Sequence, residues 1–219
     1  MNFLGKIERK FRERTNPYFA PFRRKALTRT DFTIISNNCW AGSAYRFYGL
    51  PYQTPTVGLY FFANDYIKFV YDLRHYMSAP LEFITSAESS HTETLQRRGE
   101  TNNVLARLDD IEVVFLHYHN EQEAKEKWER RRQRINWDNI FIKFSEMNEC
   151  TTEDLLKFDS LDFPNKICLT STRMPDLKSS VYFPQGGIAN GQIVDDTIQF
   201  RRGVHLTKWL NSTAAAYEL

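Results

Sequence analysis

Apolar and polar positions along the chain alternate between two spacings, one typical of buried strands and one typical of amphipathic helices. Short β-branched and aromatic runs predict strands at residues 31–36, 56–61, 81–85, 104–108, 111–117, 138–144 and 166–170. Longer periodic stretches predict helices at residues 41–48, 64–77, 121–135, 151–161 and 204–210. The polar stretch 86–103 lacks periodicity and predicts a mobile loop. The order of elements favours a three-layer α/β fold, in which a mainly parallel sheet carries helices on both faces.

We expect the first 30 residues to form a basic N-terminal helix or extension, and residues 31–219 to form a single α/β domain. Apolar residues recur at helical spacing at Phe3, Leu4, Ile7 and Phe11. The helix is expected to end at Pro17 and Pro21. Two interpretations stay open: residues 1–14 rest on an anionic membrane surface, or the helix packs on the domain with a solvated charged face.

The charge of the chain is unevenly distributed. Residues 1–30 contain nine Lys or Arg against two Glu, whereas the net charge of the whole chain is only +2. The remainder therefore sums to −5, which argues against nucleic-acid binding by the main body. A hydrophobic content of 42% and a charged content of 26% are ordinary for a globular protein.

Cysteine usage and hydropathy indicate the cellular compartment of the protein. The three cysteines are too few and too scattered for a disulfide framework or a zinc site, and they favour a reducing environment. No stretch approaches the roughly 20 apolar residues of a membrane-spanning helix, and no secretory signal is evident. We expect a cytoplasmic location, peripheral at the inner face of the membrane if the basic helix binds lipid.

The best candidate for a functional site is the loop Ser36–Gly42, which follows the first predicted strand. In doubly wound folds, ligands lie beyond the carboxyl ends of the strands. Cys39 at the start of the next helix is a candidate nucleophile, and the helix dipole is expected to depress its pKa. Asn37 and Asn38 are candidate amide donors to an oxyanion. The alternative for Cys39 is a small buried apolar residue.

A nucleophilic thiol needs a base, and His117 and His119 are the candidates. They end the predicted strand 111–117, which would open at the same sheet edge if it runs parallel to the first strand. Alternatively, His117 is a hydrogen-bonded surface residue with no catalytic part.

Two arginines of the predicted helix 121–135 are candidates for binding a phosphate or carboxylate. Arg130 and Arg134 are four residues apart and share one face. The alternative is that they pair with glutamates across a solvated surface. Further candidate substrate contacts are Ser36, Trp40, Gly42, Tyr45 and Tyr118.

Three sequence blocks stand out together: Ser36–Gly42 with Gly49–Tyr52, Thr54–Leu59, and Phe115–Tyr118 with Trp128–Asn139. In order and spacing they resemble a bacterial family known as domain of unknown function 1919, whose members are often labelled exopolysaccharide biosynthesis proteins. The resemblance covers residues 31–170 and implies a role in making capsule, exopolysaccharide or lipopolysaccharide, without implying a reaction. The strand followed by Asn and Cys is also similar to the start of polysaccharide acyltransferases that bind coenzyme A.

These observations predict a transferase acting on a sugar or polysaccharide precursor, with acyl transfer through Cys39 and His117 favoured and acyl-CoA as the donor. One alternative is glycosyl or phosphosugar transfer from a nucleotide sugar, with Asp109 or Asp110 holding a metal ion. Another is a non-catalytic, membrane-peripheral scaffold of a polysaccharide assembly. The residues do not decide the cofactor, and no metal site is assigned.

Overall fold

The computed structural model describes residues 3–197 and 203–212, without the side chains of residues 3–10, 12 and 13. The helices are α1 Phe3–Arg24, α2 Trp40–Tyr48, α3 Ala63–Tyr71, α4 Leu73–Ser78, α5 Thr92–Arg98, α6 Glu121–Arg132, α7 Thr152–Ser160 and α8 Leu206–Asn211. The strands are β1 Thr33–Ser36, β2 Glu82–Ile84, β3 Val104–Leu108, β4 Ile111–Phe115, β5 Ile140–Ser145, β6 Lys166–Thr170, β7 Ser180–Tyr182, β8 Ile188–Ala189 and β9 Gln192–Ile193. The predicted apolar face at Phe3, Leu4 and Ile7 lies outside the described side chains. Residues 213–219 of the predicted domain also lie outside the description.

A four-stranded parallel sheet of order β1-β5-β6-β7 forms the centre of the fold. Successive side chains alternate between its two faces, as period-two strands require. Ile34 and Phe141 pack with α2 and α8 on one face, whereas Ile35 and Ile142 pack with α3 and α7 on the other. The predicted α/β class with a mainly parallel sheet is confirmed.

The prediction that β4 runs parallel to β1 is wrong. Strand β4 belongs to a second, antiparallel sheet of order β2-β3-β4. Only Asp109 and Asp110 separate β3 from β4, and Asp109 adopts a left-handed conformation with φ 56°. A two-residue connection of this kind makes a hairpin, and a hairpin is necessarily antiparallel.

Residues 51–62, the connecting segment, join α2 to α3 and link the two sheets. The predicted strand 56–61 does not form, because Gly58 has a φ of 77° and interrupts the extended backbone. Tyr60 instead makes an isolated antiparallel bridge to Val114 of β4. The backbone N–H of His117 donates to the Gly58 carbonyl at 3.0 Å. The end of β4 is thereby brought to the carboxyl edge of the parallel sheet.

A helix occupies part of the stretch predicted as the mobile loop 86–103. Helix α5 ends at Gly99, whose φ of 68° provides the left-handed residue typical of helix ends. The preceding turn is held by Glu112, which accepts hydrogen bonds from the Ser89 hydroxyl and from the backbone N–H of Ser90. The prediction of a loop is therefore wrong for residues 92–98, and buried polar contacts fix the turn that precedes this helix.

Helix α1 continues through Pro17 and Pro21 instead of ending there. Both prolines are exposed, so the carbonyl oxygens that lose their helical partners are able to bond to water. The opposite side of α1 packs on α2, with Ala20 buried and the Arg23 guanidinium 4.2 Å from the centre of the Phe47 ring. Of the helices in the described part of the chain, none has the length and hydrophobicity needed to cross a bilayer.

Candidate functional site

The loop after β1 is ordered by its own side chains. The Ser36 hydroxyl donates to the Asn38 carbonyl at 2.7 Å and accepts from the backbone N–H of Ala41 at 3.2 Å. The Asn38 side-chain oxygen accepts from the backbone N–H of Trp40 at 3.1 Å. These bonds satisfy donors in the first turn of α2 that have no partner within the helix. Ser36 and Asn38 therefore shape the loop and leave little capacity for a substrate.

Asn37 ties β1 to β5 instead of facing a ligand. Its amide nitrogen donates to the Ser145 carbonyl at 3.0 Å, and its amide oxygen accepts from the Ser145 N–H at 3.1 Å. Its backbone carbonyl accepts from Phe61 of the connecting segment at 3.0 Å. The structure thus does not provide the predicted oxyanion donor at this position, because the amide is fully buried and engaged on both sides.

Trp40 and Tyr45 are also buried beneath the loop. Trp40 packs edge-on against Trp209, with 6.0 Å between ring centres. The Tyr45 hydroxyl donates to the Phe32 carbonyl at 3.0 Å and accepts from the Ile34 N–H at 3.1 Å. Both residues are fully buried, so their predicted role as substrate contacts is replaced by a role in the core.

A cavity of about 340 Å³ lies between α2, the connecting segment and α6, and we call it the Cys39 cavity. It is lined by Cys39, Gly42, Arg46, Tyr52, Val57, Gly58, His117, Tyr118, Lys127 and Arg131. Four predicted site residues meet there: Cys39, Gly42, His117 and Tyr118. His117 is positioned at the cavity because the end of β4 bonds to the connecting segment, and not because β4 runs parallel to β1.

The Cys39 thiol is not activated by its position at the start of α2, and the expected depression of its pKa is wrong. Burial, together with the charge of Asp196, raises the pKa of Cys39 to about 11. The favourable influence of Gly58 and Arg46 is smaller. The sulfur donates to the Leu59 carbonyl at 3.7 Å, so the thiol is held as a neutral hydrogen-bond donor.

The two candidate bases differ in their surroundings. The His117 ring is exposed on the cavity wall, and within the described part of the chain it makes no hydrogen bond. His119 lies outside the cavity, where its Nδ1 is 2.8 Å from the Glu123 carboxylate. His119 therefore holds the start of α6, and only His117 is placed to act on a ligand.

The predicted arginine pair does not reach the Cys39 cavity. Arg130 is exposed, and Arg134 is exposed with its Nη1 donating to the Tyr52 carbonyl at 3.3 Å. Arg131 enters the cavity instead, buried beside the Tyr52 ring at 5.1 Å from its centre. The reason is the position of each arginine around the helix axis. Arg131 lies on the buried side of α6 together with Trp128, whereas Arg130 lies on the exposed side.

Three cations converge on the cavity: Arg46 from α2, with Lys127 and Arg131 from α6. Lys127 pairs with Glu123 and lies 5.3 Å from the centre of the Tyr118 ring. Within residues 3–197 and 203–212, neither arginine forms an ion pair with a carboxylate. Among the described residues, no acidic side chain lines the cavity, so its positive charge favours an anionic ligand.

A buried charged network lies behind the loop. Lys143 of β5 is fully buried and forms an ion pair with Asp196, which also accepts from the Ser145 hydroxyl at 2.6 Å and from the Asn38 amide at 2.8 Å. Burial lowers the pKa of Lys143, and Asp196 opposes that shift. The network fastens the segment around Asp196 over the carboxyl edge of the sheet.

The acidic pair considered as a metal site is engaged in surface contacts. Asp109 lies 2.9 Å from the His75 ring, and Asp110 pairs with Lys68 at 2.7 Å while accepting from the Tyr76 hydroxyl. Among the residues described, no cluster of three or more His, Cys, Asp or Glu side chains has an arrangement suited to a metal ion.

Comparison with known proteins identifies the family of this chain. A protein of Haemophilus influenzae, named only as an uncharacterized protein, is 30% identical over 200 residues, which is 91% of this chain and 90% of that relative. A family model described as "Domain of unknown function (DUF1919)" matches residues 10–214. The chain therefore belongs to the DUF1919 family.

Proposed function

We propose that this protein is a transferase that binds a phosphate-bearing sugar donor in the Cys39 cavity and transfers the sugar to an acceptor hydroxyl. The observation that carries the proposal is the convergence of Arg46, Lys127 and Arg131 on a cavity whose described lining residues include no acidic side chain. Guanidinium and ammonium groups are the usual protein partners of phosphate oxygens. A volume of 340 Å³ is suited to a sugar and its phosphates.

Two tyrosines supply the apolar surface that a sugar or a base needs. Tyr52 and Tyr118 line the cavity, and each ring lies beside one of its cations. Such rings pack against flat apolar faces and leave phosphate recognition to the charged groups.

His117 supplies the base in this proposal. Its ring accepts the proton of the acceptor hydroxyl, while the acceptor oxygen forms a bond to the anomeric carbon of the donor. The bond between that carbon and the donor phosphate oxygen breaks, and the phosphate leaves with the electron pair. Arg46, Lys127 and Arg131 offset the charge that develops on the leaving phosphate.

Acyl transfer is the second candidate, favoured by the presence of Cys39 and His117 on one cavity. A covalent intermediate on Cys39 would need the thiolate, and a pKa of about 11 leaves that form scarce at neutral pH. Sugar transfer requires no thiolate and accounts for the cations, so we favour it.

The resemblance of the sequence blocks to proteins labelled exopolysaccharide biosynthesis supports a role in surface-polysaccharide synthesis in the cytoplasm.

Calorimetric titration with UDP-glucose, GDP-mannose and acetyl-CoA tests the proposal. We expect a nucleotide sugar to bind, and Lys127→Ala to weaken binding about ten- to a hundred-fold, as for loss of a charge-assisted hydrogen bond. Lys125→Ala is the matched control, since Lys125 is exposed two positions away and does not line the cavity. His117→Ala should retain binding and lose transfer.

Three outcomes would contradict the proposal. Binding of none of the three donors removes the donor site, and equal affinity of the Lys127→Ala and Lys125→Ala variants removes the cavity as its location. Binding of acetyl-CoA alone, lost in Lys127→Ala, assigns acyl transfer instead.

A further inference from the structure

The outer face of α1 carries a row of exposed aromatic side chains, which we call the aromatic face. Phe11, Tyr18 and Phe22 are seven and four residues apart, so they project from the same side of the helix. Their exposed fractions are 69%, 76% and 70%. Phe19 lies beside them and is also exposed. Tyr18, Phe19 and Phe22 lie within about one helical turn of one another, so these rings form a local apolar cluster rather than scattered single residues.

The aromatic face is exposed even though α1 is docked on the rest of the domain. The other side of the helix is buried against α2, where Asn16 and Ala20 are almost inaccessible. Arg23 donates to the Asn16 side chain at 2.7 Å and to the Phe47 carbonyl at 3.2 Å. Because one side is fixed, the orientation of the opposite side is fixed as well, pointing away from the domain.

Positive charge accompanies the aromatic rings. Arg14, Arg24 and Lys25 are exposed, and the Lys25 ammonium lies 6.0 Å from the centre of the Phe22 ring. No acidic residue occurs between Arg14 and Thr30 in the sequence. Aromatic rings at the level of lipid headgroups, with basic side chains reaching anionic phosphates, are the two components of interfacial helix binding.

We propose that the aromatic face of α1 binds the surface of an anionic lipid bilayer, with the helix lying parallel to the membrane plane. Charge complementarity selects this partner over a symmetric dimer through α1, since pairing two copies of this helix brings their basic flanks together. Helix α1 packs on α2, and α2 contributes Arg46 to the Cys39 cavity. Membrane binding therefore holds the cavity one helix away from the lipid surface.

Co-sedimentation of the full chain with lipid vesicles tests the proposal. We expect binding to vesicles of equal parts phosphatidylcholine and phosphatidylglycerol, and little binding to phosphatidylcholine alone. The double variant Tyr18→Ser with Phe22→Ser should bind at least about tenfold more weakly, because two rings lose burial in the interface. Arg14→Gln with Lys25→Gln should weaken binding by a similar factor and reduce its dependence on salt.

The matched control is Tyr71→Ser with Leu156→Ser, which removes two exposed apolar side chains from α3 and α7. This variant should bind as the wild type does, and circular dichroism should show all variants folded. Equal loss in the control, equal binding to both kinds of vesicle, or no binding to either would overturn the proposal. A dimer in solution that the Tyr18→Ser and Phe22→Ser variant abolishes would also overturn it, by assigning the face to a second copy.

Discussion

Arg131 donates a hydrogen bond from Nη1 to the Tyr118 hydroxyl oxygen at 2.7 Å, and that hydroxyl donates in turn to the Val57 carbonyl. The two bonds join α6 to the segment after β4 and to the connecting segment. Burial raises the pKa of Tyr118, although Arg131 opposes the shift, so the phenol stays protonated and able to donate. One neutral hydroxyl group thus bridges the wall of the Cys39 cavity, beside a longer direct bond from Arg131 to the Val57 carbonyl at 3.4 Å.

Replacing this hydroxyl should loosen the cavity wall. Tyr118→Phe removes both bonds and leaves the Arg131 guanidinium and the Val57 carbonyl only the longer bond between them, at 3.4 Å, in a mostly buried position. We expect a loss of about 1–3 kcal/mol in the free energy of unfolding, and a fall of a few degrees in Tm. Urea unfolding measures the change, with Tyr71→Phe on the exposed surface of α3 as the control. Equal stability of the two variants would show that the hydroxyl is dispensable.

The Cys39 thiol should be slow to react at neutral pH. Its pKa of about 11 means that the thiolate is a small fraction of the population, and alkylation requires the thiolate. Iodoacetamide labelling followed by peptide mass spectrometry should show a rate at Cys39 that rises about tenfold per pH unit through neutrality. A rate that reaches a plateau below about pH 8 would instead indicate an activated nucleophile.

The parallel sheet and its helices could be predicted because their signals are local. The start of α7 illustrates this, since Thr151 and Asp154 form the reciprocal capping box that their spacing predicts. The direction of β4 also has a local signal in the sequence. The two-residue turn at Asp109 and Asp110 permits only an antiparallel neighbour, and that geometric consequence outweighs the general expectation of parallel strands.

The cationic residues of the cavity illustrate a second limit. The four-residue spacing of Arg130 and Arg134 indicates a shared helical face, but spacing alone does not indicate which face of α6 is buried. Arg131 follows Trp128 by three positions and precedes Ile135 by four, so it lies on the apolar side of the segment. An arginine on an apolar side is unusual, and that departure from the pattern is the signal for Arg131. Arg46 comes close to Arg131 only through tertiary packing, and no local signal in the sequence indicates that contact.

The buried pair of Lys143 and Asp196 should be essential for stability. Asp196→Ala leaves a fully buried ammonium group without its counter-charge, which costs about 3–5 kcal/mol in proteins generally. Thermal unfolding should show a Tm lower by roughly 10 °C. Asp196→Ala with Lys143→Met should recover much of the loss, because no unpaired charge remains.

The matched control for that experiment is an exposed ion pair. Glu153→Ala breaks the pair with Lys157 on the surface of α7, where both side chains are mostly in water. A change below about 1 kcal/mol is expected there. Comparable losses in the Asp196→Ala and Glu153→Ala variants would mean that the buried network contributes nothing specific.

The His91 ring should make the stability of the domain depend on pH near neutrality. Its Nε2 lies 2.9 Å from the Asp65 carboxylate, and the ring stacks on Phe62 with 3.6 Å between ring centres. Burial alone would lower the pKa of His91, but the hydrogen bond and charge of Asp65, with Glu112 and Glu149, raise it above its ordinary value. The protonated ring is therefore favoured in the folded state.

A raised pKa in the folded state means that folding takes up protons in the range between the unfolded and folded values. The stabilisation from His91 is then fully present below about pH 6.5, the ordinary value for histidine, and is lost as the pH rises through the raised folded pKa. We expect the difference in unfolding free energy between wild type and His91→Gln to shrink with rising pH over that window. Any loss of ring packing against Phe62 contributes equally at every pH, so only the slope of this difference against pH reports the charge of the ring.

Urea unfolding from about pH 5 to about pH 9 measures this slope. The control is His75→Gln, which removes a half-exposed ring beside Asp109. A difference that grows as the pH rises would mean that the neutral ring is the form favoured by folding.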